Sequence, residues 1–525
     1  MPDEKDRKQE EILQDEEIAA KWENYQDQMN ARADYYKSSP AYTLQSPSID
    51  GKTIPSKREL SGLFLERIFS LTDEDGYVAQ VLPGRIFNGT SGKDLRSHLI
   101  DETRLRYIVG FENKGIFEDI DNRYNFAVCV FQNSGKTDSV RGVFQQHDLD
   151  ILREPDQNTI EIPRNLLENF SPKVRLIPLI QSASEVDVLQ RLISKPAIDE
   201  EIKNSWQIRP YMELNRTTDR DRYVESEAEG SYPVYGGSNI NQFSHKPDGI
   251  SDGIEPPKFW SVDESNSPEE SAKRRIREKN LRSLKRALYD SFDGTGSQKG
   301  FVNELLEDRR GKGLSLDDVL LDCTGYRIVY RDIARATDER TLIASVIPPD
   351  VVCHDKLHTV RPYRIEPEKE QLYSFPLHDI YVREFSDSSL FAALGVLNSI
   401  PFDYIMRKKT DTTIIMYKVK ESQLPRLTEG DEWFEYIWKR AARLNCYGEE
   451  FEEMRDRLGG IDPATDMSER REVQAELDAA AFHAYGLDRD QTAFVLDDFH
   501  QVQNPRLMDD EYFEMVLEKY DELDG

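Results

Sequence analysis

The chain runs to 525 residues, too many for one compact core, and its 38% hydrophobic content is enough to bury two or three. With 99 acidic against 69 basic residues it carries a formal charge of −30, and arginine outnumbers lysine 42 to 27. No apolar run approaches the roughly eighteen residues of a membrane span. The text after Met1, PDEKDRKQEEILQDEE, has neither the basic start nor the apolar stretch of a secretory leader, so a cytoplasmic location is expected, with no membrane partner. Cys129, Cys323, Cys353 and Cys446 form no Cys-x-x-Cys pair, which argues against a disulfide scaffold and a zinc ribbon. Acidic residues spread over the whole length, with arginine preferred to lysine, fit a hydrated surface suited to strong salt, the expectation for a halophile. The total does not exclude nucleic acid, because the local placement of positive charge decides that.

In chain order, residues 1–58 read as a peripheral helix, with Ile12, Leu13, Ile18, Ala19 and Trp22 at helical spacing, followed by a loop. ELSGLFLERIFSLT, from Glu59, is an amphipathic helix ending at the Asp75-Gly76 turn. Three β-rich runs follow: Tyr77 to Phe87, Leu105 to Phe111 and Tyr124 to Phe131. The helix GKDLRSHLIDE lies between the first two. Their near-continuous apolar content predicts strands buried on both faces of an α/β sheet, the first two as a β-α-β unit and the last two as a pair closing it. After residue 135 periodicity weakens; helices are expected near 164–170 and 186–194. The turn-rich stretch from Asn215 through Gly253 and the loop IEPPKFWSVDESNSPEESA after it read as surface loops.

The sharpest charge reversal is KRRIREKNLRSLKR between Lys273 and Arg286, eight basic residues against Glu278 alone. GYRIVYRDIARATDERTLIASVIPP then sets Arg327, Arg331, Arg335 and Arg340 beside strand-like text. ALGVLNSIPFDYIMRKK, Glu432 to Leu458 and the acidic tail DDEYFEMVLEKYDELDG are helical.

Five blocks, in one order, carry a resemblance. GYVAQVLPGRIFNGTSGKDLRSHLIDETRLRYIVGFENKGIFEDIDNRYNFAVCVF is similar to the second half of the catalytic domain of the large adenine-specific DNA methyltransferases of type IIG restriction-modification and BREX-type phage-resistance systems. PVYGGSNINQF resembles part of their target-recognition region, with Ser238 where that pattern has Lys and Asn241 where it has His. YRIVYRDIARATDERTLIASVIPP, LGVLNSIPFDYIMRKK with SQLPRL, and HAYGLDRDQTAFVLDDF resemble three further blocks. The resemblance implies an α/β fold: the second half of a Rossmann-like methyltransferase sheet, then a mixed α/β target-recognition domain and a helical C-terminal region. The expected divisions are 1–58, 59–135, a helical connector at 136–205, target recognition at 206–430 and helices at 431–525. It also implies S-adenosylmethionine as cofactor, double-stranded DNA as partner and adenine N6 as methyl acceptor.

Two of the family's devices are missing. No Asn-Pro-Pro occurs; the Pro-Pro pairs follow Glu255 and Ile347. The Gly-Gly pairs at 236–237 and 459–460 follow no strand-to-helix turn of the cofactor-binding kind. The expectation is therefore a carboxy-terminal half whose cofactor loop and Asn-Pro-Pro-aromatic motif lie on a partner polypeptide, with no catalytic, cofactor-binding or metal-binding residue of its own. The alternative is a non-catalytic DNA-binding specificity subunit or a decayed methylase remnant.

Candidate DNA contacts are Lys273, Arg274, Arg275, Arg277 and Arg282 of the basic run, with a solvated helix face as the plain alternative. Tyr235, Gly237, Asn239 and Gln242 come next: the glycines at 236–237 permit close backbone approach and amides suit adenine edges, against an ordinary turn. Arg331 and Arg335 are read either as contacts or, with Asp332, as an ion-pair cluster. Asn113 and Asn122 read as turn caps. Cys353, His354 and His358 supply three possible metal ligands without a fourth, and no metal is assigned. Pro155-Asp156 with Glu161 lacks a nuclease lysine, since Pro163 stands in its place.

Overall fold

The computed structural model describes residues 7–9, 11–49, 51–54, 59–122, 124–203, 205–224, 231–246, 258–261, 272–334, 338–410, 413–502 and 505–524. The chain divides into two compact units, Met1–Val186 and Asp187–Gly525.

In the first unit, helix α1 (Glu16–Ser38) starts where the Asp15 carboxylate accepts the N–H groups of Glu17 and Ile18, with Glu16 and Glu17 favoured by the positive end of the helix. It buries no residue, and Ile18, Trp22, Tyr25, Met29 and Tyr35 stand exposed along it. Helix α2 (Leu60–Leu71) and helix α3 (Lys93–Asp101) bury Leu63, Leu65, Leu95, Leu99 and Ile100. Strands β1 (Tyr77–Pro83), β2 (Arg104–Glu112), β3 (Asn125–Gln132), β4 (Ser139–Gln146) and β5 (Ile160–Pro163) form one sheet in the order β1-β3-β2-β4-β5. β3 is antiparallel to both neighbours and β4 is parallel to β2.

This corrects three readings. β1 and β2 run the same way but are not adjacent, because β3 turns back from β2 and inserts between them. The return is organised by buried Asn113, whose Oδ1 accepts the Phe117 N–H at 2.7 Å and whose Nδ2 donates to the carbonyls of Phe117 and Ile120. β1 also alternates exposed and buried residues, as an edge strand with one bare face does; Tyr77 and Val81 are 67% and 55% exposed. The sheet continues past residue 135 through β4 and β5, where a helical connector was expected. Helix α4 (Arg164–Phe170) follows β5 as the spacing indicated.

The second unit begins within helix α5 (Ala183–Leu192). The turn-rich stretches read as surface loops instead supply strands. Strands β7 (Tyr223–Val224), β8 (Ser231–Tyr235), β9 (Lys258–Ser261) and β12 (Val352–Cys353) pair in the order β12-β8-β9-β7. A second sheet takes β6 (Pro210–Tyr211), β10 (Arg327–Arg331), β11 (Ala344–Ile347) and β13 (Leu357–Val360) in the order β11-β10-β13-β6. Tyr235 and Ile240 are buried with Val329, Ile347, Val351, Cys353 and Leu357; apolar residues too sparse to show a period are gathered there by pairing distant in sequence. Helix α6 (Ala272–Ser291) buries Ala272, Ile276, Asn280, Leu284 and Leu288, one face at a spacing of four, and α7 (Gln298–Arg310) packs beside it.

Helices α8 (Asp387–Leu397), α9 (Ile400–Lys409), α10 (Phe434–Asn445), α11 (Met467–Tyr485), α12 (Arg489–Asp498) and α13 (Asp510–Asp524) belong to the same unit as these sheets. Their attachment to β11 is polar and buried. Asn398 exchanges hydrogen bonds of 3.0 and 2.9 Å with the backbone of Ala344, and Asn445 does the same with Val346 at 3.0 and 3.0 Å. Two amide side chains thus occupy the outer edge of β11, where another strand would otherwise pair. Asp403 accepts the N–H groups of Thr341 and Leu342, and Tyr485 donates to the Gln423 carbonyl. The separate sequence blocks around Thr341, Asn398, Gln423 and Tyr485 are therefore parts of one buried hydrogen-bonded frame.

Candidate nucleic-acid interface

The basic run forms the first turns of α6, and most of its charge is already spent. Arg275 and Lys279 both reach buried Asp219, at 2.8 and 3.0 Å. Burial opposes ionisation of Asp219, but the Asn215 N–H, Lys279 and Arg275 together hold its carboxyl below the usual range. Arg274 pairs with Glu278 at 3.1 Å, Arg277 with Asp317 at 3.7 Å and Arg286 with Asp290 at 3.5 Å. Among the described residues Lys273, Arg282 and Lys285 make no ion pair, and Arg282 is exposed. A helix with eight cations therefore offers few to a phosphate. Two of its four acidic partners, Asp219 and Asp317, are remote in the chain, which no local charge count could register.

The block Tyr235 to Phe243 is built from the inside. Tyr235 is buried at the end of β8, opposite Cys353. A Cβ on Gly236 would lie 2.2 Å from His354 Nε2, and one on Gly237 would lie 3.1 Å from the Lys356 carbonyl oxygen, so the close approach that the glycines allow is to their own chain. Asn239 is buried and accepts the Gly236 N–H at 2.7 Å, closing a short turn. Gln242 donates to the Asn398 carbonyl at 2.6 Å and accepts from Gln474 at 2.7 Å. The four residues Tyr235, Gly237, Asn239 and Gln242 thus shape and brace a turn, and Asn241 and Gln242 line a cavity with the end of β10.

Arg331 and Asp332 part company. Asp332 holds Lys356 at 2.9 Å and His358 at 3.0 Å, whereas Arg331 donates to the Ile240 carbonyl and to Asn241 Oδ1 at 3.1 Å. Burial first, then repulsion from Arg506, brings the Arg331 guanidinium down to about 10, with Asp338 acting the other way. Arg335 lies outside the described residues. Cys353 is buried, with its N–H on Glu213 at 2.7 Å; among the described residues no cluster of His, Cys, Asp or Glu is placed to hold a metal.

Further buried charges lie on residues not singled out as site candidates. Arg96, fully buried, donates to the carbonyls of Ile86, Gly89, Val174 and Arg175 at 2.5 to 2.7 Å. Arg327 and Glu213, neither exposed, pair at 3.0 Å, and Glu213 also accepts from Tyr211.

Glycines near β1 do not form a cofactor cradle. Cβ atoms at Gly84, Gly89 and Gly92 would meet Asn125, the Arg85 carbonyl, and Arg96 with Ile86 within 3 Å, so that backbone is already packed on its own chain. These residues do not fit S-adenosylmethionine.

Residues 17–117 match the family described as Eco57I restriction-modification methylase. No curated protein matches in sequence. Among solved structures, similarity is found to the type IIL restriction-modification enzyme MmeI in complex with DNA, at 10% identity and a TM-score of 0.42, over 85% of this chain and 52% of that one. The type IIG restriction endonuclease BpuSI is similar at 14% identity and 0.28, over 83% and 51%. A nuclease-deletion mutant of the type ISP enzyme LlaGI, in complex with a DNA substrate mimic, is similar at 11% and 0.31, over 73% and 36%. The chain spans about half the length of MmeI and BpuSI. No single helix among the described residues is long and apolar enough to cross a membrane.

Proposed function

We propose that this chain is the DNA-gripping and sheet-completing component of an S-adenosylmethionine-dependent DNA methyltransferase acting on adenine N6, in restriction-modification or phage defence within the cytoplasm. The observation that carries it is the coincidence of the methylase-family match at 17–117 with an open sheet. The face of that sheet over β2, β4 and β5 is covered, with Ile116, Ile151, Leu152 and Ile160 packed on Val109, Phe111 and Val143. Over β1 it is bare: Tyr77 and Val81 point outward and among the described residues β1 pairs on one side only, while Leu60, Phe64 and Leu71 of α2 are 60–71% exposed. A strand edge and apolar side chains left open in this way await a partner surface. The family resemblance makes the occupant the half that bears the cofactor loop and the Asn-Pro-Pro-aromatic motif. This chain's contribution to methyl transfer is positioning: it holds the duplex in register while the extruded base meets a methyl donor bound by the other half.

The test is reconstitution. The chain mixed with a cofactor-bearing half is expected to transfer tritium from labelled S-adenosylmethionine to duplex DNA, which neither does alone, and Val81→Lys is expected to block recovery while leaving this chain folded. Tight binding of S-adenosylmethionine by this chain alone would overturn the reading. Duplex binding with no transfer in any mixture would favour the non-catalytic specificity subunit.

A further inference from the structure

A cavity of about 500 Å³ opens between the end of β10, the turn at Asn241–Gln242, the first half of α11, and Val502, Arg506 and Leu507. Five of its lining residues are arginines. Two are neutralised: Arg340 pairs with buried Asp478 at 2.9 Å, and Arg471 with Asp509. The Glu339 carboxylate is taken up by the N–H groups of Leu507 and Met508 at 2.7 and 2.8 Å. The other three differ. Arg331 donates to the Ile240 carbonyl and the Asn241 amide. Arg470 donates to the carbonyls of Leu444, Ala464 and Phe243 at 2.6, 2.9 and 3.3 Å, and Arg506 is exposed. Among the described residues none of the three has a carboxylate oxygen within 4.0 Å; Asp338, on the rim, reaches Arg331 only through its field.

Among the described residues, three arginines that line one cavity lack an ion-pair partner in a chain of net charge −30. Carbonyl oxygens orient Arg331 and Arg470 but supply no countercharge, and the repulsion between Arg331 and Arg506 is relieved by an anion in the space between them. The wall beside them suits a sugar rather than a second charge: Ile333 and Met467 expose 60% and 67% of their surface there, next to the hydrogen-bonded Gln242 and Gln474. We infer that this cavity seats a backbone phosphate of DNA between Arg331, Arg470 and Arg506, fixing the register in which Asn241 and Gln242 meet the duplex. The inference rests on the DNA-binding reading above and gives it an address on the helical region, away from α6.

The experiment uses the full chain and a fluorescent duplex of about thirty base pairs, with anisotropy followed across a salt series. Arg506→Gln, at an exposed position that braces nothing, is expected to weaken binding about fivefold near physiological salt and to lower the salt slope by about 1, equally for unrelated sequences. Arg506→Glu is expected to do more, and both variants to melt as the wild type does. Inorganic pyrophosphate is expected to compete with duplex on the wild type. Wild-type affinity and slope in both variants would overturn the cavity assignment alone. A wild type that binds no duplex would overturn the DNA-binding reading with it, and pyrophosphate stabilising such a protein would mark the cavity as a free-anion site instead.

Discussion

Individual buried charges set the sharpest demands. Glu213 accepts from Tyr211, the Cys353 N–H and Arg327, and all of this happens out of water. Glu213→Gln keeps the volume but leaves the Arg327 guanidinium without countercharge, and is expected to lower stability by about 3 kcal/mol, read by denaturant unfolding. His245 lies between the rings of Tyr447 and Phe451, with centroids 4.6 Å away. Burial, partly offset by Glu450, pushes it down to about 4, and burial lowers His358 as well. Unfolded histidine titrates near 6.5, so between about 6.5 and 4 the unfolded chain binds protons that the folded one refuses. Stability is therefore expected to fall as pH drops through that window. His245→Phe should flatten the slope by up to one proton, measured from unfolding curves at a series of pH values. The same change leaving the acid limb untouched would show that His245 is not its source.

At the scale of elements, α6 shows how a sequence signal is spent by tertiary structure. KRRIREKNLRSLKR reads as a phosphate-binding stripe, and its helical spacing is right, yet Arg275 and Lys279 converge on Asp219. Arg275→Gln is expected to cost about 1 to 2 kcal/mol of stability by unpairing buried Asp219, with little effect on DNA affinity. Arg282→Gln is expected to leave stability within about 0.5 kcal/mol, because it touches no partner. Unfolding and duplex-binding curves on the two variants separate structural from solvent-facing cations on one helix. The block around Gly236 and Gly237 follows the same pattern: its glycines make room for His354 and the Lys356 carbonyl, and its amides brace the turn.

For the whole molecule, the excess of carboxylates is the feature that chemistry outside the chain must answer. Repulsion among so many like charges is screened as salt rises, with the Debye length falling from about 10 Å at 0.1 M to about 3 Å at 1 M. The melting temperature is expected to climb between about 0.1 and 2 M KCl, checked by scanning calorimetry, and a flat profile would count against adaptation to strong salt. The open edge of β1 belongs to this scale too, since it concerns what the first unit pairs with rather than any one residue.

Composition, local periodicity and block order were enough to establish an α/β chain with strands near 77–131, helices after residue 390 and a strong excess of acidic residues. Each of these depends on residues close in sequence, where a period of two or 3.6 or a simple count reports the physics. The insertion of β3 between β1 and β2, the sheet made partly from Asn215–Gly253 text, the Asn398 and Asn445 clasps on β11 and the arginine-lined cavity were decided only in three dimensions. Their partners lie tens to hundreds of residues apart: Arg331 and Arg506, separated by about half of the second unit's chain, line the same cavity. A charge in the sequence carries no mark of whether a distant carboxylate will neutralise it, and that difference separates the paired cations of α6 from the unpaired ones around the cavity.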